Sequence, residues 1–168
     1  MNSEIYKEEI KQLLNKFVQE AHAQNLKGDA NWTYEIKKRL AELGKKHQYN
    51  ISVGGFRDLY EPEWLYDLVW YKEEGEGETA RLIEIPLIME SEWNLHFDYI
   101  KYDFEKLLVS NAPLRLMICQ CSEINRQNRI DYFRDSIMRY KSGNKDDIFL
   151  IALLDYESEE FHFVEIKK

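Results

Sequence analysis

The sequence predicts an α/β fold, a mixed β-sheet flanked by helices on both faces. Three observations lead there. Apolar spacing alternates between helical and strand periods along the chain, giving the order α-α-β-β-β-α-β-α-β-β. One strand segment, LRLMICQC, is apolar enough to be buried on both sides, and helices separated in sequence by strands point to a mixed sheet with helices on both faces. With 168 residues, 44% apolar and 32% charged, the chain can fill a core without staples, which excludes collagen-like, low-complexity and disordered classes. One domain over residues 1–168 is expected, since no internal repeat or long linker divides it.

Each element has its own signal. From Ser3 to about Gln24, Tyr6, Ile10, Leu13, Leu14, Phe17, Val18 and Ala21 mark one buried helical face, with Ser3 and Glu4 as cap and first-turn charge. Gly28 and Asp29 break the pattern, and a second helix runs from about Ala30 to Lys46 on Trp32, Ile36, Leu40 and Leu43. Tyr49–Val53 reads as a short strand ending at Gly54-Gly55. Glu63–Tyr71 reads as a second strand, KEEGEGE as a hairpin tip, and Arg81–Glu92 as a third strand in which Pro86 implies a bulge. A helix from about Phe97 to Ser110 buries Ile100, Phe104, Leu107 and Leu108 and stops before Pro113. LRLMICQC follows as a strand, then a helix capped by Ser122 and reaching about Lys141. Two last strands meet at a polar turn near Ser158.

Net charge is -8, which argues against nucleic-acid binding by bulk electrostatics. The acidity is local: Asp58 to Glu92 holds eleven acids against Lys72 and Arg81, as a solvated hairpin, a metal site, or both would. Cys119 and Cys121 are poorly spaced for a disulfide, and no histidine lies nearby in sequence to complete a zinc site. Two reduced, partly buried thiols in a cytoplasmic protein are expected. The charged N-terminus lacks the pattern of a signal peptide, and no apolar run approaches the ~18 residues of a membrane span.

Three carboxylates interrupt apolar strand patterns. Asp67 lies within WLYDLVW, where alternation places it on a face with Leu65 and Val69; Glu90 and Glu92 end the next strand on a common face. Ionised carboxylates on a covered sheet need a cation, an ion-pair partner or hydrogen bonds, and neighbouring ones repel unless something divalent lies between them. An oxygen-only donor set suits Mg²⁺ or Mn²⁺, which would activate water and stabilise charge on an attacked phosphate.

This pattern resembles the PD-(D/E)XK nuclease superfamily over about Ala30 to Cys121. The resemblance implies a restriction-endonuclease-like αβββαβ core, here with an extra N-terminal helix and C-terminal strands. It implies that Asp67 (WLYDLVW) and Glu90 (IMESEW) bind the metal, with Glu35 as the extra helical acid. The chain departs from the pattern where Glu92 occupies the position of the family lysine, two residues after Glu90; Glu92 then assists as ligand or base. Some members carry the basic residue on the following helix, where DFEKLL supplies Lys106 and a position nearer the apolar stripe supplies Lys101. The helical wheel favours Lys101, about 60° from the stripe through Phe104 against about 160° for Lys106, whereas family analogy favours Lys106. The implied activity is metal-dependent hydrolysis of phosphodiester bonds in nucleic acid.

Plainer roles exist for each residue. Asp67 can be satisfied by a helix N-terminus or an arginine such as Arg115, Glu90 and Glu92 can lie in solvent, and Glu35 can pair with Arg39. Arg126, Arg129, Arg134, Arg139, Lys141 and Lys145 form a basic segment, either a solvated helix face or a contact for a phosphate backbone. Trp64, Trp70 and Trp93 can stack bases or fill the core. The second functional reading is a catalytically inactive nuclease-fold module that binds a protein partner, of an inhibitor or immunity type. The acidity and Glu92 motivate it.

Overall fold

A computed structural model describes residues 2–56 and 60–168. Helices α1 (Ser3–Ala23) and α2 (Asp29–Lys46) precede strands β1 (Asn50–Val53), β2 (Leu68–Glu74) and β3 (Arg81–Glu92). Helix α3 (Phe97–Val109), β4 (Leu114–Cys121), α4 (Glu123–Arg139), β5 (Ile148–Asp155) and β6 (Glu160–Lys167) complete the order. One sheet contains all six strands in the sequence β1-β2-β3-β4-β5-β6. Strands β1, β2 and β3 form an antiparallel meander, β3-β4 and β4-β5 pair parallel, and β5-β6 close antiparallel. The two parallel steps advance in one direction across the sheet, so right-handed crossovers put α3 and α4 on the same face.

Strand alternation divides the interior into two cores. Leu116 and Ile118 of β4 and Leu150 and Ala152 of β5 pack with Ile10, Leu14, Ile36 and Leu40 of the first two helices. Met117, Cys119, Phe149 and Ile151 pack with Phe104, Leu107, Phe133 and Ile137 on the opposite face. The mixed sheet covered on both sides is therefore observed. Both thiols are free and buried, and burial pushes Cys119 up to about 12, which makes it a poor nucleophile. Among the described residues no helix is long and apolar enough to cross a membrane.

Several local expectations are corrected. Ser3 is the first buried residue of α1 rather than its cap; Asn2 holds that position, and neither it nor Ser122 before α4 makes a side-chain capping bond. Glu63–Tyr71 is not one strand. β2 starts at Leu68, opposite Val53 at the end of β1, because the chain leaves the sheet at Gly54-Gly55. Ahead of β2, the Trp64 N–H donates to Ser52 Oγ at 3.1 Å, and Leu65 is 73% exposed. Asp67 thus stands just before the first rung, not inside a strand. Pro86 does mark an irregularity: between the pairs Trp70–Leu87 and Lys72–Glu84, β3 carries an extra residue.

Gly44 shows how tightly α2 sits on the sheet. A Cβ there would stand 2.5 Å from Ile51 Cδ1 and 2.7 Å from Trp70 Nε1, the indole being held by its bond to Leu40 O at 3.1 Å. Ala normally favours a helix over Gly by about 1 kcal/mol. Here Gly44→Ala is expected to destabilise by about 1–3 kcal/mol through overpacking. Urea unfolding measures it, and an unchanged or raised midpoint would refute the packing argument.

Candidate functional site

The ends of β2 and β3 bring two of the predicted acids to adjacent strands. Leu68 pairs with Met89, so Asp67 and Glu90 flank the last rung of that ladder. Their carboxylates have different surroundings. Asp67 Oδ1 accepts from Lys37 Nζ at 2.8 Å, and Oδ2 accepts from the Ser91 backbone N–H at 2.8 Å and Ser91 Oγ at 2.7 Å. Lys37 belongs to α2 and Ser91 lies between the two glutamates of β3, so these bonds tie Asp67 to the first helix layer. Neither a helix N-terminus nor Arg115 is its partner; Arg115 instead pairs with Asp147 at 2.8 Å.

Glu90 lies on the α3 side of the sheet and is 1% exposed. Lys106 Nζ reaches Glu90 Oε1 at 2.5 Å and Asp103 Oδ1 at 3.4 Å. Burial pushes Glu90 up to about 8, with Asp67 and Asp103 adding to the shift and the Lys106 ammonium opposing it. Asp103 is raised for the same reason, burial first, with Glu92 and Asp67 adding and Lys106 opposing. Burial works against the charge of Lys106, but Glu90 and Asp103 outweigh it and raise its pKa. Tyr66 borders the group; burial and the Glu90 charge raise its phenol.

The remaining predicted residues separate. Glu92 shares the Glu90 face but stands at the rim, where Oε1 accepts from the Asn94 N–H at 2.7 Å. Lys101 is half exposed and lies 3.8 Å from Glu105, away from the sheet. The wheel measured distance from the apolar stripe but not which flank of α3 faces β3. The Asp103 flank does, and the long Lys106 side chain reaches around it. Glu35 is 3.7 Å from Arg39, which also holds Glu20 of α1, and so faces the neighbouring helix. Two residues along α2, about 200° round the axis, Lys37 is the helical side chain that meets Asp67.

Sequence reasoning passed over Lys37, Ser91, Asp103 and Tyr66. Asp103 and Lys106 had a readable signal, the i, i+3 spacing within DFEKLL, whereas Lys37 and Ser91 had none before the register was known. The acidic stretch divides between the Asp67–Glu90 group and exposed hairpin acids such as Glu74 and Glu76; Asp58 lies outside the described residues.

The donor set contains only oxygen, which suits a hard cation. Among the described residues no three His, Cys, Asp or Glu side chains gather closely enough to hold an ion. Magnesium commonly takes only one or two protein carboxylates and fills its shell with water and phosphate oxygens. Both Asp67 oxygens are taken by Lys37 and Ser91, whereas Glu90 Oε1 is a buried acceptor without a well-angled hydrogen bond despite the nearby ammonium. No family model, curated protein or solved structure matches this chain.

Proposed function

We propose that this chain is a metal-dependent nuclease-like protein hydrolysing phosphodiester bonds in nucleic acid, as its resemblance to the PD-(D/E)XK superfamily implies. The observation that carries the reading is the meeting of Glu90 and Lys106, from β3 and α3, beside Asp67 at the start of the adjacent strand. Asp67 and Glu90 would hold Mg²⁺ or Mn²⁺, which supplies water activation and charge neutralisation when bound. Lys106, whose pKa its neighbours Glu90 and Asp103 raise against the effect of burial, offers positive charge where a phosphate becomes more negative. Lys37 and Ser91 orient Asp67, and Glu92 at the rim can accept a proton from water.

Purified protein incubated with labelled DNA or RNA is expected to cleave with Mg²⁺ or Mn²⁺ and not with EDTA. Asp67→Ala, Glu90→Gln and Lys106→Met are each expected to lower the rate by about 100-fold or more. Failure of the unaltered protein to cleave either polymer, together with a silent Mn²⁺ titration by calorimetry, would overturn the reading.

A second reading has its own observation: Asp67 and the buried Glu90 each already face a lysine of the same chain, and Glu92 fills the family lysine position. A non-catalytic, protein-binding module retaining the nuclease fold requires nothing more at this site. It predicts no metal binding and a stable complex with a protein partner, unaffected by Glu90→Gln.

A further inference from the structure

Arg129 is the least compensated buried charge among the described residues. It is 6% exposed, and its Nη2 donates to Leu95 O at 3.0 Å while Nε and Nη1 are buried without partners. Arg39, Arg115, Arg126, Arg134 and Arg139 each face a carboxylate. Among the described residues Arg129 has no such partner, and beyond the Leu95 carbonyl it has the Phe97 ring, 5.7 Å from its guanidinium carbon. Burying an unpaired guanidinium costs several kcal/mol, so a chain that keeps one gains most when an anion arrives.

A pocket of about 290 Å³ opens beside it, lined by Leu95, Phe97, Asn125, Asn128, Arg129 and Tyr132. The four α4 residues are spaced i, i+3, i+4, i+7, so one face of the helix presents two amides, a guanidinium and a phenol. Phe97 and Tyr132 meet edge to face at 4.7 Å and give the pocket an aromatic wall. That combination, a forked cation with amide donors beside an aromatic surface, matches a phosphate attached to a nucleoside. The position fits as well. Cys119 pairs in register with Glu92, and its thiol feels both the Glu92 and the Arg129 charges, so the pocket lies at the Glu92 end of the candidate site.

We propose that the Arg129 pocket is a phosphate-binding site that grips a nucleic-acid strand beside the Asp67–Glu90 group. Only the identity of the polymer rests on the nuclease reading; the anion site stands on Arg129 itself. The guanidinium pairs with a non-bridging phosphate pair, Asn125 and Asn128 donate from the rim, and an adjoining base lies against Tyr132. Among the described residues, Arg126, Arg134 and Arg139 of α4 each have an aspartate within ion-pair reach, and Arg129 is the α4 arginine without one.

The test is done in EDTA, so that binding is read without cleavage. Fluorescence anisotropy with a fluorescein-labelled 20-nucleotide DNA, and with the matching RNA, is compared for the full chain and its variants. Arg129→Met is expected to weaken binding at least tenfold and to lower the salt slope by about one. Asn125→Ala combined with Asn128→Ala is expected to weaken it severalfold. Inorganic phosphate in a thermal-shift assay separates the sources. A shift with the oligonucleotide alone marks a strand-binding site, one with phosphate as well marks a site for free phosphate, and each should vanish in Arg129→Met. A merely structural Arg129 would lower the melting temperature on substitution and leave affinity unchanged, which overturns the proposal. If Arg129→Met does not fold, the exposed asparagine pair decides, and unchanged affinity there also overturns it. Absence of any binding or shift in the unaltered protein does the same. Oligonucleotide binding by the unaltered protein in EDTA, with no cleavage of either polymer once Mg²⁺ or Mn²⁺ is added, counts against the nuclease reading alone.

Discussion

At pH 9 a Glu90→Gln variant is expected to be more stable than the unaltered protein, by up to roughly 5 kcal/mol. Glu90 in the folded chain is pushed up to about 8 from an ordinary value of 4.5, chiefly by burial. Below pH 4.5 both folded and unfolded chains carry its proton, and the group is neutral in each. Between 4.5 and 8 the folded state alone retains the proton, so stability falls as pH rises, by about 1.4 kcal/mol per unit. Above 8 the loss is complete. Glutamine imitates the protonated acid and carries no charge, so the variant should escape this loss. Urea unfolding from pH 5 to pH 9 at constant ionic strength measures the divergence. Parallel profiles for the two proteins would show that Glu90 is charged throughout, and that the Lys106 pair outweighs burial. Glu4, Glu9, Glu20, Asp155 and Glu165 are held below their ordinary values, so their contributions are lost on the acid side instead.

Asp147→Ala is expected to cost about 3–5 kcal/mol, because it strands Arg115 inside the protein. Arg115 is 2% exposed, and its Nη1 lies 2.8 Å from Asp147 Oδ2. The guanidinium also donates to Ser110 Oγ and Ser110 O, at 2.9 and 2.8 Å, and lies over the Phe149 ring. Removing the carboxylate leaves those weaker contacts to hold a charge that water cannot reach. Replacing both members by apolar residues, Arg115→Met with Asp147→Leu, should cost much less than Asp147→Ala alone. A double-mutant cycle by chemical denaturation checks both statements. A single-variant loss below about 1 kcal/mol would mean that water reaches the site after substitution.

Segments whose pattern arises from burial on both faces were the most legible. Leu114–Cys121 has the bounds its apolar run predicts, since a covered strand leaves no polar position to blur its ends; Arg81–Glu92 keeps its predicted bounds although its first four residues are exposed. Trp64-Leu65 carried the same kind of residue yet lies outside the sheet. Its aromatic ring packs on Tyr71 and its backbone is taken by Ser52, a tertiary arrangement that composition does not encode. Asp67 and Glu90 were readable as misplaced charges, but their compensation was not. Lys37 is 30 positions from Asp67, and only the docking of α2 makes them partners. Lys106 was reached by analogy and Lys101 by the wheel; the wheel failed because it has no knowledge of which side of α3 the sheet occupies.

Ser91 sits between two glutamates and faces the other way. Because neighbouring residues of β3 address opposite layers, this strand couples α2 to α3: Ser91 engages Asp67 and through it Lys37, while Glu90 engages Lys106. Inserting one residue upstream in β3 would invert that phase, turning the serine toward the ammonium of Lys106 and bringing an acid up against Asp67. Three consecutive letters, Glu-Ser-Glu, therefore act as a checksum on strand alignment, and a pairing shifted by one residue would place like charges together where the native one places opposites.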